Sequence, residues 1–308
     1  MGSDLALRRP ATGAEYGWTD GYADVGGVRL HYVEAGSGPL VVLLHGFPQL
    51  WLCWRHQIGP LAAADFRAVA LDMRGYNLSD KPRGVRHYTL DRLAADVEGL
   101  IAALGHRSAD VVAHDWGGIV AWHLAATRPA CVRRLVVLNA PHPGAYWREL
   151  RTLDQLRRSW YVFVFQLPWL PEAMLRRRDF AVVERILRTQ PARAGAFDDD
   201  DVRAHKAALA QPGALTAMVN YYRATLRRLP GLAGARERRV EAPTLLIWGE
   251  ADRYLRPQLA DGLERWVPRL RVERLPGVSH WVMADAPEAV TRLLLEALGA
   301  APAQAAAG

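Results

Sequence analysis

Asp115 lies at the junction of two patterns in the stretch VVAHDWGG at 111–118. A β-branched run leads into it and a helical pattern, IVAWHL at 119–124, leads away. The residue therefore occupies a sharp turn from a buried strand into a helix. Ala113 and Gly117, two before and two after it, are small, as a turn that crowds backbones together requires. A carboxylate attacking a carbonyl would form a labile anhydride, whereas attack on a saturated carbon forms an ester that water can cleave. The second step needs a base, and the base needs an orienting group. His280, in GVSHW at 277–281, and Asp252, in GEADR at 249–253, are the candidates. Simpler roles stay open at this point: Asp115 as a helix cap, His280 as a hydrogen-bonded loop histidine, and Glu250 in place of Asp252.

These residues need a scaffold that ends several strands at one place. Apolar runs at 40–44, 68–71, 135–138, 243–248 and 271–275 accompany the elbow strand. They alternate with helical spacing at 51–63, 90–104, from the elbow to 128, and 286–298. That rhythm predicts an α/β fold, a parallel sheet covered by helices on both faces. A further helix is expected between the last two strands, and DAPE at 285–288 reads as a capping-box start for the final helix. A hairpin turning at Gly26 and Gly27 precedes the sheet, after a loose arm over residues 1–17. From 141 to 239 the spacing is helical throughout, and the acidic run 198–201 is placed to cap a helix over 202–210. The expected organisation is an α/β core from 1–140 and 240–299, interrupted by an all-helical insertion at 141–239, with a disordered Ala-rich tail at 300–308. Open α/β sheets bind ligands beyond the carboxyl ends of their strands. Asp115, Asp252 and His280 fall there, in the order nucleophile, acid, histidine.

Composition narrows the field further. The net charge of +7 is almost wholly arginine, because Lys81 and Lys206 are the only lysines. The segment 141–239 holds 18 Lys and Arg against 10 Asp and Glu, so the rest of the chain is close to neutral. We read the basic segment as a solvated face, with no nucleic-acid partner expected. The chain has no apolar run of about 18 residues and no basic-then-apolar leader, so neither a membrane anchor nor a secretory signal is expected. Cys53 and Cys131 are isolated and carry no metal-ligand spacing, which predicts small core residues, a reducing cytoplasmic setting, and no metal or other cofactor. His45, His114 and His142 adjoin the motifs as structural or orienting groups.

Over residues 18–298 the chain resembles the soluble-type epoxide hydrolases of the α/β-hydrolase fold. The resemblance rests on HGFP at 45–48 with WRHQ at 54–57, DMRGYNLSDKP at 72–82, HDWGG at 114–118 and NAPHP at 139–143. It continues with YVFVFQLPW at 161–169, QPGAL and NYYR between 211 and 223, GEADRYL at 249–255 and SHW at 279–281. It implies a two-step hydrolysis of a small apolar epoxide, with Asp115 as nucleophile and His280, oriented by Asp252, activating water. It also implies an oxyanion hole from the backbone N–H groups of Phe47 and Trp116, with Phe47–Pro48 cis. Tyr161 and Tyr222 match the family's two cap tyrosines, which act as the acid on the epoxide oxygen. Tyr221 competes with Tyr222, and Tyr161 could be a plain core aromatic. Trp160, Phe165 and Trp169 are expected to line the substrate pocket, and a homodimer is left open.

Two other functions share this machinery. Haloalkane dehalogenases also use an Asp followed by Trp, as at 115 and 116, but need two donors for a halide. Their second donor is commonly an Asn where this chain has Phe47, or a cap Trp, which Trp160 and Trp169 keep open. The arginine of the fluoroacetate subgroup is replaced by Trp116. The other alternative is a hydrolase-fold protein that binds an apolar ligand without turnover. The tyrosine pair separates epoxide from halide chemistry, because an alkoxide leaving group needs a proton and a halide does not.

Overall fold

The computed structural model describes residues 10–227 and 238–300. The expectations for 1–9 and 301–308 lie outside the described residues. One eight-stranded sheet runs in the order β1-β2-β4-β3-β5-β6-β7-β8. Its strands are β1 (Thr19–Val25), β2 (Val28–Ala35), β3 (Leu40–Leu44), β4 (Arg67–Leu71), β5 (Ala109–His114), β6 (Val132–Leu138), β7 (Thr244–Gly249) and β8 (Leu270–Leu275). β1 and β2 form the hairpin, with Gly26 and Gly27 both at positive φ, the geometry of a two-residue turn that follows strand twist. β2 pairs antiparallel with β4, and every later pair is parallel.

The central strands read as unbroken apolar runs because both faces are covered. Alternate residues serve opposite cores: Val42, Leu44, Val111 and Ala113 on one side, Val41, Leu43 and Val112 on the other. The first face takes α2 (Leu90–Ala103) and α3 (Trp116–Thr127); the second takes α1 (Arg55–Ala63) and the last helix, α11 (Pro287–Leu298). β8 is an edge strand, only half-buried and carrying Arg271, Glu273 and Arg274, charges that discourage pairing with another chain.

Between β6 and β7 the described residues form six α-helices and no strand. They are α4 (Pro143–Glu149), α5 (Leu153–Arg158), α6 (Trp160–Val164), α7 (Leu170–Thr189), α8 (Asp199–Ala210) and α9 (Ala214–Arg227). α8 starts three residues earlier than its apolar pattern suggests, because Asp198 and Asp201 form a reciprocal capping box. α7 is two helical segments joined by a turn in which Arg178, Asp179 and Phe180 take positive φ. No helix among the described residues is long and apolar enough to cross a membrane.

Three local expectations change. Residues 13–16 form a 3-10 turn rather than a loose arm, held by Gly13 and Ala14 N–H groups donating to the Asp20 carboxylate. Between β7 and β8 there is only a 3-10 turn, Pro257–Ala260, because Pro257, Gly262 and Pro268 interrupt any longer helix. Asp285 does not cap α11, which starts without a side-chain cap. Asp285 ends the short α10 (Val282–Asp285), and its carboxylate instead accepts from Ser279 N–H at 2.8 Å and from the Arg193 N–H. A tertiary demand has taken the local capping group.

Candidate active site

The carboxyl ends of five adjacent strands supply the core of the site. Phe47 follows β3, Asp115 follows β5, Asn139 follows β6, Asp252 follows β7 and His280 follows β8. Asp115 adopts φ 50° and ψ −120°, a conformation costing about 1–3 kcal/mol for a residue with a side chain. The helix bond from Ile119 N–H to Asp115 O, 3.0 Å, helps hold it. At Gly117 a Cβ would come within 2.5 Å of Leu44 O, so the elbow admits only glycine there. A Cβ at Gly46 would stand 2.1 Å from Asp115 Oδ1.

The two oxygens of Asp115 are not equivalent. Oδ1 accepts the Phe47 N–H at 2.8 Å, and the carboxylate is also bonded by the Trp116 N–H. Oδ2 lies 3.7 Å from His280 Nε2. Burial raises the Asp115 pKa, while His280 and the two N–H donors pull it back down without cancelling the rise. Phe47–Pro48 is cis.

His280 Nδ1 is 2.6 Å from Asp252 Oδ2. Asp252 is buried, and its oxygens accept from Asn139 Nδ2 at 2.7 Å, Tyr254 N–H at 2.7 Å and Leu255 N–H at 3.0 Å. An acceptor-only partner fixes Nδ1 as the donor and leaves Nε2 to face Asp115. Burial pushes the His280 pKa down, but the charge and hydrogen bond of Asp252, with the charge of Asp115, outweigh it and leave it raised. From the opposite side, His114 Nε2 donates to His280 O at 2.9 Å. Burial holds His114 well below the usual histidine range, so it is neutral and carries its proton on Nε2. Glu250, the local competitor of Asp252, turns outward to Arg274 at 3.4 Å.

Above Asp115 lies a cavity of about 190 Å³, walled by Trp116, Tyr146, Tyr161, Phe163 and Tyr222 among others. The Tyr161 and Tyr222 rings are 5.9 Å apart at 79°. Burial raises both phenol pKa values well above 10, aided at Tyr161 by Tyr146 and Asp115 and at Tyr222 by Tyr161 and Asp115; at Tyr222 a hydrogen bond with the Trp116 side chain works against the rise. Tyr221 points about a third of a turn away and donates its hydroxyl to Arg74 O at 2.7 Å. It pins α9 to the core, since Arg74 is itself paired with Asp96 on α2.

The three residues expected in the pocket are dispersed. Phe165 is buried and packs edge-on against Tyr222 at 4.8 Å and Tyr161 at 5.8 Å, supporting both rings from behind. Trp160 is 59% exposed: α6 is short, and turning Tyr161 inward turns its neighbour outward. Trp169 is 82% exposed and lies on a separate outer groove. Groups with no role assigned from sequence also belong here. Asn139 bridges Gly249 and Asp252, Tyr254 packs on His280 at 5.3 Å, and Tyr146 pairs with Ser159 at 3.0 Å on the cavity wall. Asn139 carried a usable signal, a polar residue directly after a buried strand. Among the described residues no cluster of three His, Cys, Asp or Glu side chains is arranged to hold a metal ion.

A family model described as alpha/beta hydrolase fold matches residues 39–287. The chain is similar to Epoxide hydrolase 4 of Homo sapiens, 37% identical over 276 residues that cover 87% of this chain and 75% of that protein. It belongs to the epoxide hydrolase group of the α/β-hydrolase fold family. It is also similar to AB hydrolase superfamily protein YfhM of Bacillus subtilis, 42% identical over 90% of this chain and 96% of that one. The solved Bacillus megaterium epoxide hydrolase in complex with an inhibitor superposes with a TM-score of 0.81 at 34% identity, covering 91% of this chain and 100% of that chain. In this α/β-hydrolase Asp115 and two buried phenols, Tyr161 and Tyr222, face one apolar cavity, with the Phe47 N–H and His280 against the Asp115 carboxylate and Asp252 behind His280.

Proposed function

We propose that the chain hydrolyses a small apolar epoxide to the vicinal diol through an ester on Asp115. Oδ2 attacks an oxirane carbon and the C–O bond breaks. Tyr161 and Tyr222 donate to the departing oxygen, and one phenol transfers its proton to it. The carbonyl oxygen of the ester is then Oδ1, already held by Phe47 N–H. His280 takes a proton from water, which adds to the ester carbon, and negative charge gathers on Oδ1 between the Phe47 and Trp116 N–H groups. Collapse expels the diol oxygen, which receives the proton from His280; the water oxygen stays on Asp115, and its remaining proton passes to the phenolate, restoring the carboxylate and the phenol.

The observation that carries this reading is the pair of tyrosines facing the same cavity as Asp115. It also disfavours halide chemistry. Trp116 is present, but Trp160 and Trp169, the tryptophans singled out from the sequence for a halide site, are exposed and outside the cavity; of the other tryptophans on its wall, Trp122 already donates its ring N–H to Ala140 O, and Trp147 belongs to the insertion. The test is intact-protein mass spectrometry of His280→Gln mixed with an epoxide that the wild type consumes. An adduct of the epoxide's mass on Asp115 is expected. Its absence under rapid quenching would remove the covalent step.

A further inference from the structure

Eleven large apolar side chains are exposed among the described residues, and nine of them fall between 153 and 182. Exposed apolar surface is therefore gathered on α5, α6 and α7 and the loop between α6 and α7 rather than scattered, which marks an interaction face. Leu153, Trp160, Phe163, Trp169 and Met174 project from it at 48–82% exposure. Phe163 also lines the cavity, so the apolar patch continues into the cavity wall.

The same face is positively charged. A groove of about 900 Å³ beside Trp169 is lined by Arg176, Arg177 and Arg227, all exposed. The nearby carboxylates are already committed: Asp154 to Arg158 and Arg256, and Glu172 to the buried Arg223. Arginines that no ion pair among the described residues neutralises, beside the projecting Trp169 and, for Arg176 and Arg177, on the same helix as the exposed Leu170 and Met174, match the boundary of an anionic bilayer, where aromatic rings enter the headgroup layer and cations meet phosphates.

We infer that this face docks on an anionic phospholipid surface, with the cavity wall at Phe163 turned toward the lipid. A second copy of the chain is the poorer occupant. A two-fold contact would set the patch against itself and bring Arg176 and Arg177 against like charges. Docking would give an apolar substrate dissolved in lipid a short path to the cavity. The inference concerns binding alone and stands or falls independently of the reaction assigned to Asp115.

The experiment is flotation of the full chain, without substrate, on vesicles of phosphatidylcholine alone or of equal parts phosphatidylcholine and phosphatidylglycerol. Wild type should float with the anionic vesicles roughly tenfold better than with the neutral ones, lose that preference in high salt, and shift its tryptophan emission to the blue. Leu167→Ser/Leu170→Ser/Met174→Ser and Arg176→Glu/Arg177→Glu should each lose roughly tenfold or more of this binding at an unchanged melting temperature. Equal flotation of wild type and both variants would overturn the inference, as would no flotation of wild type. So would a wild-type dimer, seen by light scattering, that the triple variant dissolves.

Discussion

The main-chain N–H of Phe47 donates to Asp115 Oδ1 at 2.8 Å, so Oδ2 is left as the oxygen 3.7 Å from His280 Nε2. One oxygen is committed to the Phe47 N–H, and on the proposed mechanism the other forms the bond to carbon. On the same mechanism water then enters at the carboxyl carbon, not at the substrate. In a single turnover in ¹⁸O-water, with enzyme in excess, the first diol should therefore be unlabelled and the label should appear in the peptide containing Asp115. A fully labelled first diol would mean that water attacks the epoxide directly.

The pH behaviour of His280 should change between the two half-reactions. In the free enzyme its pKa is pushed down by burial but raised overall by Asp252 and Asp115. Forming the ester abolishes the Asp115 charge and with it one of the raising influences. The histidine then loses its proton at a lower pH than in the free enzyme, which suits a base. The rate of ester decay against pH should show its limb below the pKa of His280 measured by NMR in the resting protein. Asp252→Asn should slow ester decay by roughly 10³–10⁴-fold while the ester still forms. Coincident limbs would contradict the coupling.

Tyr161 and Tyr222 act, on this reading, only on the first half-reaction. Replacing both by Phe should slow ester formation by roughly 10²–10⁴-fold and leave the decay of an ester already formed within a few-fold of wild type. Stopped-flow tryptophan fluorescence can separate the phases, since Trp116 lies 4.8 Å from the Tyr222 ring. Equal slowing of both phases would assign the tyrosines to packing.

Buried histidines should shape stability against pH from both sides. Burial depresses His142 and His205 to about 4. Their unfolded-state values are near 6.5, so the unfolded chain binds these protons first. Stability should be full above about 6.5 and fall as pH drops toward 4, by up to roughly 3 kcal/mol per histidine. His31 runs the other way. Burial lowers its pKa, but Asp72 at 2.7 Å and Asp20 at 2.9 Å outweigh that and raise it. Its contribution is full below about 6.5 and lost as pH rises through the folded value. Urea unfolding at a series of pH values should show His205→Gln flattening the acid side and His31→Gln the alkaline side. Unchanged slopes in either variant would remove that residue from the account.

Much of this was readable from the chain. The elbow was legible because its requirements are local: small residues at 113 and 117 and a strand passing into a helix. The sheet was legible because central strands buried on both faces must be apolar throughout. What failed to show was direction and tertiary competition. Composition put Trp160, Phe165 and Trp169 in the pocket, but which face of a short helix looks inward depends on how α6 rests against the sheet. Asp285 had the look of a cap, yet Ser279, next to His280, claims its carboxylate. The basic charge of the insertion was plain, whereas the grouping of Arg176, Arg177 and Arg227 beside the exposed Trp169 appears only in three dimensions.

The insertion between β6 and β7 separates two neighbouring parallel strands by roughly 100 residues. The entropy of closing such a loop grows only with the logarithm of its length, and doubling it adds roughly 0.6 kcal/mol. The inserted helices, which carry Tyr161 and Tyr222, can therefore lengthen, shorten or be exchanged at little thermodynamic penalty to the sheet. The order of synthesis is less forgiving. Asp252 and His280 emerge only after the whole insertion, so a nascent chain holds Asp115 and the Phe47 and Trp116 N–H groups well before it holds His280, the base of the proposed mechanism. Until β7 and β8 join the sheet, any ester formed on Asp115 would lack the group that releases it.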